Sequence, residues 1–228
     1  MMKMKITWLL AFLSLAWLLF STDGSDATTR DLALVLKVKG DAKFKSGYRD
    51  WSTLARGQRL SSGDRIRTGD DALVAIVFTD DKSMLKIRSE AEVSLAGQRT
   101  EKGVAKRLAM DVGEMWAKIN PKGAGFRMET PSGVAAVKGT EFYGLVDAFG
   151  NMTIIGIDGL VELLNNLGSV LVGKGQTGQI QKGQKPEVGD TEQFNDWAKL
   201  DQIEGDIEIE FENSEGAKKQ IEIQYKKK

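Results

Sequence analysis

The 228-residue sequence contains no cysteine, no histidine and only three prolines. Without cysteine there is no disulfide, no thiolate nucleophile, no cysteine-based zinc site and no lipid-modified cysteine anchor. Without histidine the commonest general base and metal ligand is gone. Net charge is absent too, because 32 basic and 32 acidic residues cancel. A dedicated nucleic-acid binder draws its affinity from neutralising phosphates, so this balance argues against a nucleic-acid partner. Helical periodicity is also scarce: no segment from 32 to 180 repeats its apolar residues at helical spacing.

What is present fits a packed domain. Hydrophobic residues make up 41 % of the chain and charged residues 28 %, enough for a core of ordinary size. The first residues read "MMKMKITWLLAFLSLAWLLFSTDGSDATT", with Lys3 and Lys5 ahead of an apolar run from Ile6 to Phe20. A charged start followed by a run of this length is a secretory signal peptide over 1–27, cut after Ala27 with Ser25 at the minus-three position. The alternative is an uncleaved N-terminal anchor, although the run is short against the ~20 residues of a membrane span. The expected location is therefore the periplasm or cell surface, with membrane contact only through an uncleaved N-terminus.

From Leu32 onward the pattern has period two. "LALVLKVKG" puts Leu32, Leu34, Leu36 and Val38 on one face, and "ALVAIVF" (72–78) is apolar on both faces, as a central strand would be. Eleven further short runs follow, most of them separated by Gly, Asp, Asn or Pro. The 25 glycines suit tight turns between such strands. The expected fold is all-β, a β-helix-like or rolled β-sandwich of many short strands spanning 32–186.

The C-terminal part differs in composition. Residues 187–216 hold eleven acidic residues and one basic, Lys199. Phe194, Trp197, Leu200 and Ile203 recur at spacings of three, which predicts a short amphipathic helix or linker over 190–204, capped by Asp190 or Thr191. Over 205–228, Ile207, Ile209 and Phe211 alternate on one side of "NSEG", and Ile221, Ile223 and Tyr225 on the other, a β-hairpin signal.

Several motifs resemble chemistry they do not support. Lys138–Gly139–Thr140 has its lysine ahead of the glycine, whereas a phosphate-binding loop needs it after the last glycine and before a helix. Gly173-x-Gly175-x-x-Gly178 has dinucleotide spacing, but "QIQKGQKPEVGD" follows it in place of a helix. The pairs Asp70–Asp71 and Asp80–Asp81 continue into no calcium loop and read as solvated turns. Lys102, Lys106 and Arg107 read as a solvated basic edge. "NMT" at Asn151 is a glycosylation triplet only in a eukaryotic source. No cofactor or metal site and no catalytic residues are expected. Trp51 and Trp116 are candidate interaction residues, because exposed aromatics stack on sugars or partners.

Two motifs in order resemble the FecR domain family of bacterial cell-envelope proteins. The first is "VKGDAKFKSGYRDWSTLARGQRLSSGDRIRTGDDALVAIVFTDDKSMLKI", where Gly40, Trp51, Gly57, Leu60, Gly63, Asp64, Ile66 and Thr68 match. The second is "TPSGVAAVKGTEFYG", where Thr130, Pro131, Val137, Gly139, Thr140 and Phe142 match, followed by Gly159 and Val161. The resemblance covers residues 35–183 and implies that Gly139–Thr140 is a structural turn. Lys138 stands where the family often has arginine, which weakens any bidentate bond to a carboxylate. Regulators of the family also carry a cytoplasmic segment that binds a sigma factor. Only five residues precede the apolar run here, so no sigma-factor partner is expected. The resemblance thus implies a non-enzymatic exported module for protein interaction, sensing or scaffolding. Its partner would be an envelope protein, with cell-wall glycan binding as the alternative. Lys138 and, in the hairpin, Ile207, Ile209 and Phe211 are further candidate contacts.

Overall fold

The computed structural model describes residues 31–200, 207–212 and 218–223. The predicted signal segment lies outside them. The strands are Ala33–Lys39 (β1), Ala42–Lys45 (β2), Ser52–Thr53 (β3), Arg59–Leu60 (β4), Arg65–Thr68 (β5) and Leu73–Phe78 (β6). Then come Met84–Ile87 (β7), Glu92–Thr100 (β8), Gly103–Lys118 (β9), Phe126–Glu129 (β10), Val134–Val137 (β11) and Glu141–Val146 (β12). Met152–Asp158 (β13), Val161–Asn165 (β14), Gly168–Val172 (β15), Gln176–Ile180 (β16) and Glu187–Asp190 (β17) complete the domain. Trp197–Leu200 (α1) follows, then Ile207–Glu212 (β18) and Lys218–Ile223 (β19).

The strands pack as two layers. Layer A runs β4-β1-β6-β7-β9-β12-β13-β16-β17, and layer B runs β3-β2-β5-β8-β9-β10-β11-β14-β15. Of the two all-β forms expected from sequence, the rolled sandwich is the one found. A β-helix stacks parallel strands, whereas here the β9–β10 pair is the parallel one and its neighbours are antiparallel. In the second half the chain lays down hairpins alternately: β10–β11 in layer B, β12–β13 in layer A, β14–β15 in layer B and β16–β17 in layer A.

The long strand β9 belongs to both layers. Residues 103–112 pair with β8, while Gly113–Lys118 pair with β12. The register slips where Glu92 meets Val112 and Val93 meets Met110, and the strand bends there. Gly113 makes the bend possible. Its φ is 119°, and a Cβ would sit 2.4 Å from the Ala91 Cβ.

Period two places the core between the layers. Val74, Ile76 and Phe78 point inward from layer A, and Val93, Leu95, Leu108 and Met110 from layer B, all in one buried cluster. Phe126 links the layers, its ring 6.3 Å from Phe78 and 6.4 Å from Phe142. "ALVAIVF" is buried on both faces, as its sequence requires.

The basic-edge reading of Lys106 is corrected. Lys106 points into the core end with its side chain 1 % exposed. Its Nζ donates to Asp80 Oδ2 at 2.8 Å, to Asp81 Oδ2 at 2.6 Å and to the Val104 carbonyl at 3.2 Å, and it lies 5.3 Å from the Phe78 ring centre. Asp80 and Asp81 are therefore the counter-ions of a buried cation. An unpaired ammonium in that position would be strongly unfavourable.

Two further corrections concern the C-terminal part. The sheet continues past residue 186 through β17. The segment 191–196 has no helical structure, and α1 begins at Trp197. Neither Asp190 nor Thr191 caps it: Asp190 ends β17, and Thr191 donates its N–H to the Gly175 carbonyl. The hairpin expected over 205–228 forms as β18 and β19, with Ile207 opposite Ile223 and Ile209 opposite Ile221. Tyr225 lies outside the described residues.

Candidate interaction surface

The motif turns come first, because they hold the two layers in place. Gly139 has φ 67°, and a Cβ on it would sit 2.6 Å from the Pro121 ring. Only glycine fits there. Thr140 is buried and donates its hydroxyl to the Leu160 carbonyl at 2.9 Å, while its own carbonyl accepts the Ile119 N–H. The triplet thus locks the β11–β12 turn to the turn before β14 and cradles no anion. Lys138 is exposed and has no carboxylate within ion-pair distance among the described residues. Of the second glycine motif, Gly173 and Gly175 form the turn between β15 and β16, and Gly178 lies within β16.

In the first motif, Thr68 is buried. It donates to the Arg88 carbonyl at 2.6 Å and accepts the Ala91 N–H at 2.9 Å. Asp64 is buried and accepts the Ser61 N–H, while its neighbour Gly63 donates to the Leu95 carbonyl. Gly57 donates to the Val35 carbonyl. Pro131 is exposed above Gly150, and Phe142 is fully buried. Asn151 donates its amide to Asp147 and accepts the Lys182 N–H, and its side-chain bond, helped by the backbone N–H groups of Asn151, Phe149 and Gly150, holds the Asp147 carboxyl below its ordinary range.

The two tryptophans diverge. Trp116, expected as an interaction residue, is buried on the outer side of layer A. Segment 191–198 folds across it, so the linker read from the sequence is a cover. Trp197 and Ala198 are buried against Trp116, Tyr143 and Leu73. Trp197 stacks edge-on to Tyr143 at 5.5 Å and donates its indole N–H to Glu114. Tyr143 donates its hydroxyl to Asp196 and accepts the Ala198 N–H. Burial, then the bond to the Asp196 carboxylate, push the Tyr143 phenol well above its usual range. Lys86 donates to the Ala198 carbonyl at 2.6 Å.

Trp51 is half-buried at the edge of layer B. The Arg67 guanidinium lies 4.6 Å from the centre of its ring and Arg65 6.0 Å. Arg67 also binds Glu92 Oε2 through Nη2 at 2.7 Å and Nε at 3.1 Å, and Arg65 binds the other oxygen of the same carboxylate. One face of the indole is therefore already occupied by a cation.

From Trp51 the outer face of layer B extends across the sheet. Inward residues such as Leu95, Leu108 and Phe126 belong to the core. The alternate positions point outward. Row by row these are Ala96, Arg107, Arg127, Ala136 and Glu162, and alongside them Ser94, Ala109, Glu129 and Val134. The small residues are half-buried and Arg107, Arg127 and Glu162 are exposed, so the face is a shallow apolar floor with charged posts. Neither motif nor periodicity singled out Arg65, Arg67 and Arg127, because each reads as an ordinary surface residue, and Arg107 entered only as part of a solvated basic edge. The strand register brings them to one face.

Among the described residues no group of three or more acidic side chains is placed to hold a metal ion. Residues 64–162 match the family model described as FecR protein. Asp64, Thr68, Pro131, Gly139, Thr140 and Phe142 fall inside the matched stretch. Trp51, Gly57 and the first strands lie before it. No curated protein matches the sequence. Two crystal structures from Parabacteroides distasonis ATCC 8503, at 2.50 and 1.65 Å resolution and provisionally described as an anti-sigma factor, are similar over part of the fold. Each is 12 % identical with a TM-score of 0.48, and the overlap covers 55 % of this chain and 59 % of that one. This chain thus spans less than two thirds of their length.

Proposed function

We propose that this protein is a non-enzymatic, exported FecR-domain module of the bacterial envelope, and that the outer face of layer B is its docking surface for a protein partner. The observation that carries the reading is the contrast in cover. The layer B face is open, with half-buried small residues between the exposed Arg107, Arg127 and Glu162, whereas the opposite face is closed by the chain itself. A flat apolar floor with a charged rim of both signs suits a protein surface better than a small molecule, which needs a concave pocket. The match of residues 64–162 to the family model supports a regulatory or sensing role, and the N-terminal sequence supports export.

Reversing the posts tests it. Arg107→Glu with Arg127→Glu in the full-length chain should abolish co-purification of the wild-type's envelope partner while leaving the unfolding midpoint in place. Undiminished co-purification by a folded double variant would remove this face as the interface.

Cell-wall glycan binding is the second reading, favoured by Trp51 standing half-exposed beside Arg65 and Arg67. Trp51→Ala should then lower retention on purified peptidoglycan. Equal retention, or none by either protein, counts against it.

A further inference from the structure

The outer side of layer A carries a second apolar cluster beyond the one under Trp197. Leu34, Leu36, Ala75 and Val77 form it, with Met84 packed alongside. Every member comes from β1, β6 or β7, adjacent strands of one sheet. A sheet face cannot cover itself, yet Val77 is 0 % and Leu36 3 % exposed. The cover lies outside these strands.

The chain is heading there. Phe194 and Asp196 contact Tyr143 on β12, Trp197 contacts Glu114 on β9, and Ala198 reaches Lys86 on β7. Each step moves one strand along layer A toward β6 and β1. Those two strands lie about 5 and 10 Å beyond β7 at ordinary strand spacing. The residues between Ala198 and Ile207 can span more than twice that distance when extended.

The hairpin that follows needs a surface. Cross-strand partners share a face, so Ile207 and Ile223, and Ile209 and Ile221, line one side of the ribbon. The intervening Glu208, Glu210 and Glu222 line the other. An isolated two-stranded ribbon is marginal in water and needs its apolar side packed. Charge agrees: the connecting stretch carries Asp201, Glu204 and Asp206, and the receiving face carries Lys37 beside Ala75.

We propose that the C-terminal hairpin β18–β19 packs face-on across the outer side of β1 and β6, its isoleucine side against Leu36 and Val77, so that the acidic tail closes layer A. This is a face-to-face contact and leaves the sheet edges as they are.

The absence of native cysteine makes the test direct. Full-length protein carrying Leu36→Cys with Ile209→Cys, or Val77→Cys with Ile221→Cys, should form an intrachain disulfide on mild oxidation. A control pair, Leu171→Cys with Ile209→Cys, should not. Without cross-linking, Ile209→Asp with Ile221→Asp should speed amide exchange in β1 and β6 at least about tenfold and leave β14 unchanged. Disulfides formed only between two chains would assign the face to a second copy and overturn the proposal. Protection of β1 and β6 that disappears only when residues 1–27 are removed would assign it to the N-terminal run, with the same consequence. No disulfide together with unchanged exchange would also overturn it.

Discussion

Strand β9 builds both outer surfaces of the sandwich, and the two halves of that strand end in opposite environments. In its first half Arg107 and Ala109 face outward on layer B and meet solvent. In its second half Glu114 and Trp116 face outward on layer A and meet Trp197 and Arg88. The alternation is the same in both. What differs is the outward residue: an aromatic on one side requires cover, while alanine between arginines leaves a surface usable in water. A two-layer sheet with one face closed by its own chain is left with a single broad face for other molecules.

Substitutions scale this contrast. The interior that both faces share sets the upper end. Lys106→Ala leaves Asp80 and Asp81 without their buried cation and should cost about 3 kcal/mol or more of unfolding free energy in urea titrations. Next comes the cover on layer A. Trp197→Ala removes a buried indole, but its segment can peel away without unfolding the sandwich, so the loss should be about 2 kcal/mol. Quenching of Trp116 fluorescence by acrylamide should rise in the same variant.

The same cover should loosen at alkaline pH. The Tyr143 phenol is held protonated in the folded state above its unfolded value, so its stabilising effect is complete below about pH 10. That effect is lost as pH rises through the folded value. Urea midpoints at pH 9, 10 and 11 should fall more steeply for the wild type than for Tyr143→Phe. Parallel slopes would place the pH response elsewhere. The smallest change in stability belongs to layer B: Arg107→Glu with Arg127→Glu should shift it by no more than about 0.5 kcal/mol. A larger shift would mean that this face, too, supports the fold.

The sequence showed much of the scaffold. "ALVAIVF" announced a strand buried on both sides, the alternation around "NSEG" announced the hairpin, and the misplaced lysine of the Lys138 triplet excluded a phosphate loop. The clustering of the arginines was not legible, because it depends on the register among β5, β8, β9 and β10, which join residues far apart in sequence. The burial of Lys106 was hidden for a related reason, since its counter-ions are in the β6–β7 turn. Segment 191–198 misled in a different way. Its spacing of three suggested a helix, but side chains on the sheet satisfy its polar groups and hold its apolar residues, whereas a helix this short would gain little by itself.

Site-specific photo-crosslinking compares the two faces most directly. A photoreactive residue replaces Ala109 on layer B in one strain and Ile155 on layer A in another, both in the full-length chain expressed in its own envelope. The account predicts a discrete crosslinked partner from position 109, lost on Arg107→Glu with Arg127→Glu, and only intrachain products from position 155. A partner captured from position 155 and not from position 109 would contradict it, placing the docking surface on the face that segment 191–198 covers.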